Sequence, residues 1–216
     1  MTFFDILGWV AAAFGMSGSV PQILRLRRTR TSAGLSTRMW QFSAAATFAW
    51  TMHGFLVGAV QMQVPNIVCT VLALGILAFI VRDRGERFLP RLVLPTVLGL
   101  ALFGLDLWLG PVVFGTLVAL PLVFGQISQL LFMRRSADLS GVSVPTLAVN
   151  VLVQALWLVW GIGVGDAAIL VCSVLMGTLC VVNLAYYGWR GARGTVGPPV
   201  LAEQLAVDTL APATAG

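Results

Sequence analysis

The sequence repeats itself. Displaced by 107 residues without gaps, it aligns Gly8 with Gly115 through to Val81 with Gly188, 74 pairs of which 17 are identical. The matches include residues that are scarce in this chain: Gln22 with Gln129, Arg27-Arg28 with Arg134-Arg135, and Trp50 with Trp157. Gly34 and Gly141, Ser36 and Ser143, Gly54 and Gly161, and Gly58 and Gly165 also coincide. A fold that obeys this offset uses one structural unit twice. Duplicated apolar units are the usual ancestry of carriers, whose solute site lies between the two copies.

The unit is strongly apolar. The chain is 58% hydrophobic and only 10% charged over 216 residues, whereas a soluble domain carries about 25% charged residues. An integral membrane protein is therefore expected. The apolar runs are too long for barrel strands, which need only about 9–11 residues. Seven segments approach the ~20 residues that cross a bilayer as helix: 4–24, 37–58, 62–81, 89–108, 111–133, 142–162 and 166–189. Met1 to Trp9 holds no basic residue, so the first run is expected to be a retained helix, not a cleaved signal. Cys69, Cys172 and Cys180 all fall in apolar runs without ligand spacing and read as packing residues. No metal or cofactor is expected. Residues 191–216, rich in Gly, Ala and Pro, read as a disordered tail.

All 13 basic residues are arginine. Arg25, Arg27, Arg28, Arg30 and Arg38 bracket the first loop, and Arg82, Arg84, Arg87 and Arg91 the third. Arg134 and Arg135 mark the fifth loop, and Arg190 and Arg193 follow the last span. These places lie on one side of a seven-span chain; the other side carries Asp5, Asp106 and Asp166 and no cation. The positive-inside rule then puts the N-terminus outside and the C-terminus in the cytoplasm of a plasma membrane. The net charge of +5 is accounted for by topology and lipid headgroups, and no nucleic-acid partner is expected. A homo-oligomer is compatible with this layout.

The 107-residue offset covers four spans, an even number, so the two copies face the same way. The expected fold is an all-α membrane protein of 3+1+3 design: a first three-helix repeat at 1–84, a linker helix at 85–109, a second, parallel repeat at 110–190, and the tail. The fourth span matches neither copy and reads as a spacer that restores direction.

The solute site should draw on the few uncharged polar groups inside the spans. Asn150, Gln154 and Trp157 recur at i, i+4 and i+7, one face of a helix. The aligned residues in the other copy are Ser43, Thr47 and Trp50. Two indoles facing each other across the repeat axis can stack on the C–H face of a sugar while amides and hydroxyls bond its rim. The competing readings are helix-helix glue for the polar groups and an interfacial belt for the tryptophans. Asn66, beside Pro65, aligns with Ser173; Asn183 has no polar match. Pro21-Gln22 precedes the basic loop, where a kink can act as a gate hinge. The second copy reads Ser128-Gln129, and Pro121 and Pro145 stand elsewhere in its spans as alternative kinks.

Pro21-Gln22, Arg27-Arg28 and Thr31-Ser32-Ala33-Gly34-Leu35-Ser36, echoed by Gln129, Arg134-Arg135 and Leu139-Ser140-Gly141-Val142-Ser143, resemble the PQ-loop transporter group, most closely its SWEET branch. The resemblance covers about residues 4–190. It implies alternating access by rocking of two bundles and energy-independent, bidirectional movement of mono- or disaccharides. It also implies that Trp50 and Asn66 hold the sugar, with Trp157 and Ser173 in the second copy. The serine departs from the usual asparagine, and the second motif lacks its proline.

Other classes make different demands. A proton-coupled exporter of amino acids or another small polar solute needs a titrating group in the membrane. The acids here map to span ends, which favours a uniporter. His53, one turn beyond Trp50, is the candidate protonation site. A retinal-type receptor needs a lysine, and none is present. No enzyme motif appears, with a single histidine and no clustered carboxylates. A sorting receptor on the same fold would bind at the cleft without moving its ligand.

Overall fold

A computed structural model describes residues 2–17, 26, 28, 30–32, 35–139 and 142–194. The helices are α1 (Phe3–Ser17), α2 (Thr37–Leu56), α3 (Val60–Asp83), α4 (Phe88–Leu109), α5 (Pro111–Arg135), α6 (Val144–Val164) and α7 (Ala167–Ala192). No strand occurs among the described residues. The expected tail falls mostly on 195–216, outside the described residues, whereas 191 and 192 belong to α7.

Local chemistry sets the helix ends, and it does so at the 107-residue offset. Ser36 caps α2 by accepting from Met39 N–H, and Ser143 caps α6 by accepting from Thr146 N–H. Between the second and third helix of each copy the chain turns through a glycine at positive φ, Gly58 at 71° and Gly165 at 73°, a conformation that side-chain-bearing residues adopt at a cost. Close approach follows at once. A Cβ on Gly54 would lie 3.1 Å from Gln63 N, and one on Gly161 would lie 2.9 Å from Ile169 Cγ2.

Helix contacts follow the same scheme. α3 packs between α1 and α2, α7 packs between α5 and α6, and α1 meets α6 as α2 meets α5. Exchanging α1 with α5, α2 with α6 and α3 with α7 leaves this contact pattern unchanged. α4 lies along α2 and also touches α5. Cross-contacts fix the direction of the helices. At one end Gln41 Nε2 donates to the Arg91 carbonyl at 2.7 Å, and Arg190 Nη1 donates to the Met133 carbonyl at 2.9 Å. Asp83 accepts there from Ser32 N–H and Oγ–H at 2.8 and 2.6 Å. At the opposite end Gln61 Nε2 donates to Asp5 at 3.1 Å, and Asp106 and Asp166 converge. We call these the arginine end and the acid end.

Five described helices, α3 to α7, are long and apolar enough to cross a membrane, where seven spans were expected. The described part of α1 has 15 residues, and the rest of the expected first span lies outside the described residues. α2 falls short because it carries Gln41, Ser43, Thr47, Thr51 and His53, and packing hides them: Gln41, Thr51 and His53 are buried. Ala44, Ala45 and Ala49, also buried, bring its backbone close to its neighbours. Large apolar side chains such as Trp108, 88% exposed, and Leu89, 77% exposed, point outward, as a lipid-facing surface requires.

α4 corresponds to the span expected to act as a spacer. α4 is bonded to α2 near both ends, through Arg91 O to Gln41 and through Asp106 to His53. Ala45 and Phe48 of α2 pack on Gly99. Its lack of sequence match to either copy hid this role.

Candidate functional site

The two halves meet toward the acid end. A buried cluster of Met62, Trp160 and Ile169 is flanked by Phe4 and Leu7 and by both Trp50 and Trp157. Met62 and Ile169 are 107 residues apart, so equivalent positions of the two halves meet there. Trp50 lies edge-on to Phe114, ring centroids 4.9 Å apart, and to His53 at 5.7 Å. Trp157 lies edge-on to Trp160 at 5.6 Å, and its Nε1 is 4.0 Å from where a Cβ on Gly15 would stand. Both indoles are half-buried. They share one cluster, and the ring contacts of each are with other aromatic residues.

The polar stripes divide into engaged and open groups. Thr47 Oγ1 donates to the Ser43 carbonyl at 2.9 Å and accepts from Thr70 Oγ1 at 2.8 Å, tying α2 to α3. Asn66 Nδ2 donates to the Met62 carbonyl at 2.9 Å, which turns the amide back along its own helix, and no described residue bonds its oxygen. Asn150 and Gln154 are half-buried on α6, and no described residue bonds their amides. Gln154 Cβ faces Gly177 of α7. Ser173 is buried at 3% exposure on α7. Asn183, by contrast, donates to the carbonyl and Oε1 of Gln126 at 3.0 and 2.8 Å and serves as a tie from α7 to α5.

Of the hinge candidates, Pro21 and Gln22 lie outside the described residues. Gln129 is half-buried on α5. Pro145 does not interrupt a span: it is in the first turn of α6, just after the Ser143 cap. There the backbone donor that proline lacks has no partner to lose, so no kink arises. Pro65, Pro95 and Pro121 stand inside α3, α4 and α5. A cavity of about 510 Å³ lies away from the indoles, lined by Val71, Leu72, Ile76 and Phe79 of α3 together with Arg30.

The feature that sequence reasoning missed surrounds His53. The residue is 1% exposed. Its Nδ1 is 2.7 Å from Asp106 Oδ2 of α4, and its Nε2 is 3.1 Å from Asp166 Oδ2. Phe114 stacks on the imidazole, centroids 5.0 Å apart. Asp166 caps α7 with its other oxygen, accepting from Ile169 N–H at 3.1 Å. The two acids do lie at helix ends, as expected, but they are 6% and 7% exposed instead of facing solvent. No group of metal-ligating residues that could hold an ion occurs among the described residues.

No family model matches the sequence, and no curated protein matches it. Among solved structures the chain is similar to a eukaryotic SWEET transporter, with a TM-score of 0.68 at 16% identity, over 88% of this chain and 100% of that one. The likeness is one of fold.

Proposed function

We propose that the chain is a facilitative carrier that moves mono- or disaccharides in both directions across a plasma membrane by alternating access. Two co-oriented three-helix units, 1–84 and 110–190, rock about a cleft between them, with the segment 85–109 joined to the first. The N-terminus is outside and the C-terminus cytoplasmic. One observation carries the reading: Trp50 and Trp157, equivalent under the repeat, pack on one cluster between the halves, while no described residue bonds the Asn150 and Gln154 amides on the same helix as Trp157. Flat apolar rings beside open amides match the two chemistries of a sugar surface. The exchange-symmetric helix contacts supply the pair of moving bodies.

The test is uptake of labelled solutes by proteoliposomes, with and without an imposed proton gradient. Sugar flux that runs down the sugar's own gradient in either direction, is not driven uphill by the proton gradient and is lost in Trp50→Ala and Trp157→Ala supports the carrier. Binding without flux points to a receptor. The buried His53 with its two acids favours one second reading, a proton-coupled exporter of a small polar solute such as an amino acid; flux driven by the gradient selects it.

A further inference from the structure

The His53 site is defined by a count of protons. Both ring nitrogens face a carboxylate oxygen, at 2.7 and 3.1 Å. An ionised carboxylate only accepts, and a neutral imidazole has one donor and one acceptor. Two hydrogen bonds therefore need two protons among three groups. An imidazolium between two carboxylates satisfies the count, as does a neutral ring with one protonated acid. With one proton fewer, a nitrogen lone pair confronts an oxygen lone pair among three buried side chains, and a buried acceptor left so is costly.

The packing says which bond fails. Asp106 holds the shorter contact, and its helix is stitched to α2 a second time by Gln41 and the Arg91 carbonyl. Asp166 belongs to α7 through its cap on Ile169. Nδ1–H therefore stays with Asp106, and the bond that breaks is Nε2 to Asp166, the joint between α2 and α7. The other groups against the ring are Trp50 of its own helix and Phe114 of α5. Neither titrates, and no other charged side chain among the described residues is bonded to the triad.

We propose that His53, Asp106 and Asp166 form a proton-binding site that latches the acid end shut when occupied, and that loss of its proton frees α2 from α7 and lets that end open. The proposal rests on the alternating-access reading above, but its test needs no solute.

Spin labels on Val57→Cys, at the end of α2, and Val164→Cys, at the end of α6, are attached in a chain whose Cys69, Cys172 and Cys180 are replaced by alanine. Both positions are about half exposed, at 49% and 48%. Distance distributions are recorded in nanodiscs from about pH 5 to about pH 9, the range that brackets histidine titration. The expected result is a longer distance that grows from minor to major as the pH rises. Asp166→Asn is the discriminating variant. Its oxygen still caps Ile169, and its amide can donate to the neutral ring, so the short distance should persist at every pH. His53→Gln, which has no ring to titrate, should lose the pH dependence as well. A parent distribution that is constant across this range overturns the proposal, as does an Asp166→Asn chain that tracks the parent. A failed sugar panel removes the carrier assignment and leaves this outcome standing; a constant distance with sugar flux intact removes only the latch.

Discussion

Gln154 and Thr47 are paired by the repeat yet differ in what their side chains do. Thr47 both donates and accepts within the α2–α3 contact, while the Gln154 amide bonds no described residue. Opposite outcomes follow on substitution. Gln154→Leu should leave the melting temperature unchanged and raise the half-saturating sugar concentration up to about tenfold, the worth of one neutral hydrogen bond. Thr47→Val should cost about 1 kcal/mol of stability with a smaller effect on saturation. Detergent melting curves and concentration-dependent uptake check both; a Gln154→Leu chain that melts early but saturates normally would assign that amide to packing. At this scale the sequence made the indole pair legible, because tryptophan recurs at the offset. The triad was not. Asp106 is 53 residues from His53 and Asp166 is 113 away, and under the repeat Asp166 aligns with Ala59 and His53 with Trp160. Symmetry therefore gave no hint that these three residues meet.

Helices were legible where their ends carry local chemistry. The paired serine caps and the paired positive-φ glycines are written into the sequence, and they set the ends of α2, α3, α6 and α7 to within a few residues. The environment of α2 was not legible, because a count of its polar groups does not reveal that α3, α4 and α5 cover them. Helix proximity yields a prediction of its own. A Cβ at Gly115 of α5 would strike the backbone of Ala168 on α7, which cannot rotate away. Gly115→Ala should therefore destabilise by roughly 1–3 kcal/mol, as overpacking does. Gly104→Ala on α4, with nothing within 4 Å of the new methyl, should be neutral or gain a few tenths of a kcal/mol from helix propensity. Unfolding both variants in mixed micelles against the parent checks the pair, and equal stability of the two would mean that α5 and α7 stand further apart than described.

Across the whole molecule the charges separate by end. The described arginines from Arg30 to Arg193 fall at the starts of α2 and α4, at the ends of α3, α5 and α7, or in the loops beside them. The acid end carries Asp5, Asp106 and Asp166, the last two in contact with His53. Placing one arginine at mid-bilayer costs about 2.5–3.5 kcal/mol on insertion scales, so a chain with cations at one end has one favoured way in. We propose that this way sets the His53 site on the outer face, where it would respond to external pH. A membrane-impermeant maleimide applied to intact cells tests this in the cysteine-free chain. Val57→Cys should label at once, and Arg193→Cys should label only after lysis. The reverse pattern would turn the molecule over: the His53 site would then answer to cytoplasmic pH, and the indole cleft would be closed from the inside.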